Sequence, residues 1–151
     1  MYKILVRDNY LSMIKNSVGS STFKNFFAEV DGVKKDIAEK GNLSCALFVS
    51  NILLINKLIT EGHANVKSTI LDMQKNSWEE ISDLREGAVL HWEGVDFGAT
   101  GVHEHIGFYI GNDQAISNNS KTGEISTHSF DFEGNRKIKN IFWNKILDNL
   151  V

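Results

Sequence analysis

Cys45 is the single cysteine of this chain, and it stands near the start of the longest apolar segment, 43–59. Asn42 or Ser44 is expected to cap a helix that begins there, because both side chains can accept hydrogen bonds from free backbone N–H groups. The first turn of a helix favours a thiolate through its unpaired N–H groups and the helix dipole. The position therefore predicts a nucleophile for carbonyl carbon, although a lone cysteine is often just a small buried hydrophobic residue.

A pair of histidines, His103 and His105, opens the next chemically distinctive segment. On a strand these two side chains face one way and that of Glu104 faces the other. If the helix of Cys45 packs its N-terminus against this strand, His105 can pair with the thiol and act as its base. Two alternatives stay open: a solvent-exposed polar strand start, and a metal site in which Cys45 or His128 joins the two histidines as ligands.

A base of this kind needs a polar group that holds its ring in one orientation. We expect Asn118, on the strand that returns after His105, to accept the imidazole N–H. A one-residue change of hairpin register moves every side chain to the opposite face and selects Ser117 instead. Asn119 is the remaining alternative, and either asparagine is also a common way to begin a loop.

The hydrophobic pattern predicts the helices that position these residues. Helical periodicity is present in the first forty residues, with breaks at Gly19 and Gly32, and in segments 43–61 and 65–75. Before the second break, a helix capped by Ser21 or Thr22 is expected to bury a face of large apolar residues: Phe23, Phe26, Phe27 and Val30. Segment 43–61 is apolar around nearly its whole circumference, which predicts burial on most sides.

The second half of the chain is β-prone. We predict strands at 87–92, 102–111, 114–118 and 138–143, with a tight turn between the second and the third. Helices followed by an antiparallel sheet indicate an α+β fold, here N-terminal helices with a buried, cysteine-bearing helix packed on a small antiparallel sheet. No repeat or linker divides the chain, so residues 1–151 are predicted to form a single domain.

Composition argues against several classes of protein. The net charge of −3 lacks the basic excess that binds nucleic acid or an anionic membrane. A single cysteine cannot form an internal disulfide. The apolar N-terminal stretch is too short for a secretory signal, and segment 43–59 is too polar to span a bilayer. These features predict a protein that is cytoplasmic as synthesised, with neither a membrane nor a nucleic acid as partner.

Three motifs resemble the NlpC-type and CHAP-type papain-like peptidases and amidases, in this order: S-C-A-L-F-V-S at 44–50, G-A-V-L-H-W at 87–92 and H-I-G-F-Y-I-G-N at 105–112. The resemblance covers about residues 41–120, roughly half of the chain. It implies a papain-like fold with Cys45 as nucleophile, His105 as base and a third polar residue at Ser117 or Asn118. NlpC-type members usually have histidine at that third position, from which Ser117 departs, whereas CHAP-type members often use asparagine or glutamate, which suits Asn118.

The resemblance also implies a class of substrate. Such relatives cleave amide bonds without a cofactor, mostly in peptidoglycan stem peptides, so a peptide or peptidoglycan fragment is the expected partner. Release by a non-classical route would bring a protein without a signal peptide to that substrate. The alternatives are a catalytically silent papain-like binding module and an intracellular cysteine protease or deamidase with a protein substrate. Oligomeric state is left open.

Overall fold

The computed structural model describes residues 1–41, 43–96 and 98–148, and these form an α+β fold as predicted. The described helices are α1 (Val6–Asn16), α2 (Cys45–Ile55) and α3 (Val66–Lys75). Two strands form a separate hairpin, β1 (Phe27–Val30) and β2 (Val33–Asp36). The main sheet contains the remaining strands: β3 (Trp78–Ile81), β4 (Val89–Asp96), β5 (Val102–Gly111), β6 (Gln114–Asn118), β7 (Ile125–Ser129) and β8 (Ile138–Asn144).

The main sheet is antiparallel throughout, with the strand order β3-β8-β4-β5-β6-β7. The central β5–β6 hairpin occupies the residues predicted for it, and its register pairs Phe108 with Ile116 and Tyr109 with Ala115. The predicted helix at 65–75 is also confirmed by α3. Asn65 caps this helix, since its side chain accepts a hydrogen bond from the Ser68 N–H at 2.8 Å.

Helix α2 packs on β5 and β6, and its hydrophobic residues explain why. Phe48 is fully buried and meets the ring of Phe108 on β5 edge-on, with centroids 5.4 Å apart. Phe108 in turn meets Tyr10 of α1 at 5.7 Å, so one aromatic cluster joins two helices to the sheet. In the part of the chain that the structure describes, no helix combines the length and apolar character needed to cross a bilayer.

The helix predicted between Ser21 and Gly32 is wrong. That segment contains β1 and the turn of the β1–β2 hairpin, whose residues Asp31 and Gly32 both have positive φ, at 52° and 77°. Paired residues of this type form the turn that best matches the twist of two antiparallel strands. Phe26 and Phe27, expected in a buried helix face, are instead exposed.

Other predicted elements differ from the observed ones, either because of local backbone geometry or because a strand contains few apolar residues. Helix α2 ends at Ile55 rather than near residue 61, since Lys57 has a φ of 60° that no α-helix accommodates. Strand β7 was not predicted, because its residues are mostly polar and only partly buried. Ser44 stands at the N-cap position of α2, yet its side chain makes no capping hydrogen bond. The other predicted cap, Asn42, lies outside the described residues.

Gly41 ties the loop before α2 to the turn between β6 and β7. Its φ is +92°, and its backbone packs so closely on Gly123 that an added Cβ would fall on the Gly123 Cα. The Asn118 side-chain Nδ2 donates to the Gly41 carbonyl at 2.7 Å. These contacts hold the chain that leads into Cys45 against the end of β6.

We therefore expect Gly41→Ala to reduce the free energy of unfolding more than Gly134→Ala does. Both glycines have positive φ, but Gly134 has no neighbouring atom within 4 Å of an added Cβ. An alanine at either position is strained by the left-handed backbone conformation. Only the alanine at position 41 adds a steric clash, which lowers the free energy of unfolding by about 1–3 kcal/mol. Urea unfolding of the two variants measures the difference, and equal losses would contradict the proposed close approach.

Candidate active site

A cavity of about 940 Å³ lies where the N-termini of α2 and α3 meet strands β5 to β7. Cys45, at the start of α2, and His105, on β5, both line it. Ser117, Asn118 and Asn119, the three residues considered for the third polar position, line it as well. Tertiary structure thus brings every predicted site residue to one cavity.

The Cys45 thiol is neutral in this environment, contrary to the thiolate expected at a helix start. Burial raises the pKa of Cys45, and this effect outweighs the opposing influences. Those influences are backbone N–H groups, chiefly that of Ile106, and the positive charge of Arg136. No hydrogen bond or ion pair joins Cys45 to His105, both of which belong to the described part of the chain.

The His105 ring is buried, with 8% of its surface exposed, and it lies against Trp92 at a centroid distance of 5.3 Å. Burial, the positive charge of Arg136 and, when His128 is protonated, the charge of His128 lower the pKa of His105 to about 3. The imidazole is therefore neutral at pH 7, with one nitrogen carrying hydrogen and the other free to accept a proton.

A chain of hydrogen bonds decides which nitrogen of His105 is free. His128 Nδ1 lies 2.7 Å from the Ser129 carbonyl, which only accepts, so Nδ1 carries the hydrogen. Burial lowers the pKa of His128, and the Nε2 of this neutral ring accepts from Ser117 Oγ at 2.6 Å. Ser117 Oγ then accepts from His105 Nε2 at 2.9 Å. This leaves His105 Nδ1 as a proton acceptor.

Ser117, rather than Asn118, contacts the His105 ring, which corrects the predicted contact. The register that pairs Phe108 with Ile116 puts Ser117 beside Gly107, on the His105 face of the hairpin. An added Cβ on Gly107 would lie 2.7 Å from the Ser117 Cβ, so the glycine makes room for the serine.

Asn118 and Asn119 have other roles in the structure. Asn118 faces away from Ser117 and donates to the Gly41 carbonyl, while its buried Oδ1 has no hydrogen-bond partner among the described residues. The Asn119 side chain accepts from the Lys121 N–H at 2.9 Å and so stabilises the turn after β6.

Arg136, which the sequence did not indicate, also lines this cavity. Its Nε donates to the Glu93 carbonyl at 3.0 Å and its Nη2 to the His103 carbonyl at 2.7 Å. The residue lies in a polar stretch after β7 that is typical of a solvent-exposed turn, so no sequence signal distinguishes it. His128 was considered only as a metal ligand, because its strand was not predicted.

The metal alternative has little support in the geometry. Across residues 1–41, 43–96 and 98–148, no group of three or more histidine, cysteine, aspartate or glutamate side chains is arranged to hold a metal ion. Nε2 of His105 is engaged by Ser117. Glu104 points to the other side of β5, where it pairs with Lys139 at 2.8 Å and with His91 at 3.2 Å.

The lowered pKa of His105 predicts a pH dependence of stability. In the unfolded chain the imidazole binds a proton at its ordinary pKa of 6.5, whereas in the folded protein it does so only at about 3. Between these values the unfolded state binds more protons, so the free energy of unfolding falls as pH falls, by about 1.4 kcal/mol per pH unit. We expect urea unfolding to show this loss from about pH 6 to about pH 4.5, above the range of most carboxylates.

His105→Gln is the matched variant for that measurement. It removes the titrating ring and should flatten the dependence, leaving the contribution of His128, whose pKa burial also lowers. Equal slopes in the two proteins would show that the fold does not keep His105 neutral.

Comparison with known proteins assigns the chain to no family. It matches no protein-family model, and no curated protein matches it significantly. The function is therefore argued from the chemistry of the cavity itself.

Proposed function

We propose that this protein is a papain-like, cysteine-dependent hydrolase that cleaves an amide bond, with Cys45 as nucleophile and His105 as base. The observation that carries the proposal is the hydrogen-bond chain from the Ser129 carbonyl through His128 and Ser117 to His105. This chain leaves His105 Nδ1 as an acceptor at the cavity that Cys45 also lines.

Both reacting groups begin neutral, so the proton moves during the attack instead of being transferred beforehand. As Cys45 Sγ bonds to the carbonyl carbon, its proton passes to His105 Nδ1. The imidazolium donates through Nε2 to Ser117 and then gives the new proton to the leaving amine as the C–N bond breaks. Water, deprotonated by His105, hydrolyses the thioester and restores the thiol.

The start of α2 supplies donors for the developing oxyanion. The Ser44 side chain makes no capping hydrogen bond to the first N–H groups of α2, which begin with that of Cys45. Backbone N–H groups directed at a developing negative charge are among the strongest contributions to acyl-transfer catalysis. We assign the Cys45 N–H as one such donor.

Peptidoglycan stem peptides are the first substrate to test, since the family resemblance points to them. The neutral, partly buried thiol favours a second candidate, a catalytically silent papain-like module that binds a peptide without cleaving it. An intracellular protein substrate is compatible with the same chemistry, and the predicted cytoplasmic location would favour it.

Cys45→Ala should abolish release of free amino groups from soluble peptidoglycan fragments, because it removes only the nucleophilic sulfur. The neighbouring Ser44→Ala is the matched control: it deletes one buried oxygen that has no hydrogen-bond partner among the described residues, and activity should survive. Thermal unfolding checks that both variants are folded. Turnover by Cys45→Ala would overturn the proposed function, and tight fragment binding without any turnover in the wild type would support the silent module.

Ser117→Ala should lower kcat/KM by roughly 10- to 100-fold, less than the loss of a base itself, which is on the order of 10²–10⁴. It leaves His105 Nε2 without its acceptor, so the acidic limb of the pH–rate profile should move as well. Asn118→Ala, which frees the Gly41 loop, should lower the unfolding temperature and leave that limb in place. A larger shift of the limb in Asn118→Ala would show that asparagine orients the base.

A further inference from the structure

Two hydrogen bonds and a ring contact position the guanidinium of Arg136 at the wall of the cavity. Carbonyl groups of β4 and β5 accept from its Nε and Nη2, and its Cζ lies 5.9 Å from the centre of the Phe132 ring. Neither hydrogen bond uses Nη1, and each nitrogen of the Nη pair carries two hydrogens. Three of the five N–H donors therefore make no hydrogen bond to the described residues, and they belong to the planar fork that matches a carboxylate.

The cation has no carboxylate partner within the described part of the chain. No aspartate or glutamate there forms an ion pair with Arg136. Glu104 is the one acidic residue among the described residues that line the cavity, and its carboxylate is paired with Lys139 on the other side of β5. Half-buried charges are normally paired, because desolvation without compensation is costly.

Further positive charge lies around the same cavity. Lys67, at the start of α3, and Lys121, in the turn after β6, line it along with Arg136. A cavity whose cations outnumber its acidic groups attracts anionic ligands and concentrates them near its walls. The positive charge of Arg136 is among the influences that lower the pKa of Cys45, so the positive potential extends to the sulfur.

We propose that Arg136 binds a carboxylate of the substrate close to the scissile amide, so that the protein selects acidic peptides. The role in substrate selection rests on the proposed hydrolase function. Anion binding by Arg136 does not require turnover and is tested separately. The carboxylate lies across the Arg136 fork, while Lys67 and Lys121 contribute long-range attraction. A neutral amide in place of the carboxylate loses both interactions.

Paired alkylation of Cys45 tests the anion site directly. The Cys45 thiolate displaces iodide from both iodoacetate and iodoacetamide, and the reagents differ only in carrying a carboxylate or a neutral amide. The ratio of their rates therefore cancels any change in the pKa of the thiol. Arg136→Gln should lower the iodoacetate-to-iodoacetamide ratio by about 5- to 10-fold, which corresponds to about 1.0–1.4 kcal/mol of lost attraction. Arg85→Gln, which removes the same charge from a surface pair with Asp83, should leave the ratio unchanged.

Two results would overturn the inference. Equal slowing of both reagents in Arg136→Gln would mean that the arginine acts on the thiol alone, and unchanged rates of both would mean that it binds no anion. If Arg136→Gln does not fold, protection of wild-type Cys45 from iodoacetamide decides the matter: N-acetylglutamate should protect, its uncharged diamide, N-acetylglutaminamide, should not, and equal protection would contradict the proposal. A falling ratio in a protein that hydrolyses nothing would keep the anion site and remove the proposed function.

Discussion

The register of the β5–β6 hairpin is the constraint on which the site depends. Pairing Phe108 with Ile116 sends Ser117 to the face of His105 and the next side chain, Asn118, to the face of α2. One residue thus holds the ring, while its neighbour holds the loop that leads into Cys45. A slip of one residue would turn Ser117 away from His105 and Asn118 away from the Gly41 loop. Burial of Phe108 in the aromatic core makes such a slip expensive.

Burial also sets the electrostatics of the cavity. Desolvation is the largest influence on the pKa values of Cys45, His105 and His128, and in each case it favours the neutral form. A chain of neutral hydrogen-bonded groups then has only one consistent arrangement of protons, because it ends on a carbonyl that cannot donate. The backbone of Ser129 thereby influences the chemistry of His105 through two intervening side chains. The proposed reaction follows from this arrangement without a preformed ion pair.

Arg136, in contrast to these neutral groups, brings a positive charge into the same cavity. Its carbonyl contacts orient the guanidinium without neutralising it, so the positive potential remains available to a ligand. Together with Cys45 and His105 it makes the cavity asymmetric, with a thiol on α2, an imidazole on β5 and a cation on the loop before β8. In the proposed function this asymmetry gives the substrate a preferred orientation.

The sequence by itself determined the α+β class, the β5–β6 hairpin, helix α3 and the candidates Cys45 and His105, because these depend on local periodicity and residue type. Only tertiary structure decided that Ser117 rather than Asn118 meets the ring, since register depends on packing across strands. Arg136 and the relay through His128 likewise emerge only when distant segments meet. The direction of the Cys45 pKa was misjudged for the same reason: a helix start favours the thiolate locally, whereas burial is a property of the whole fold.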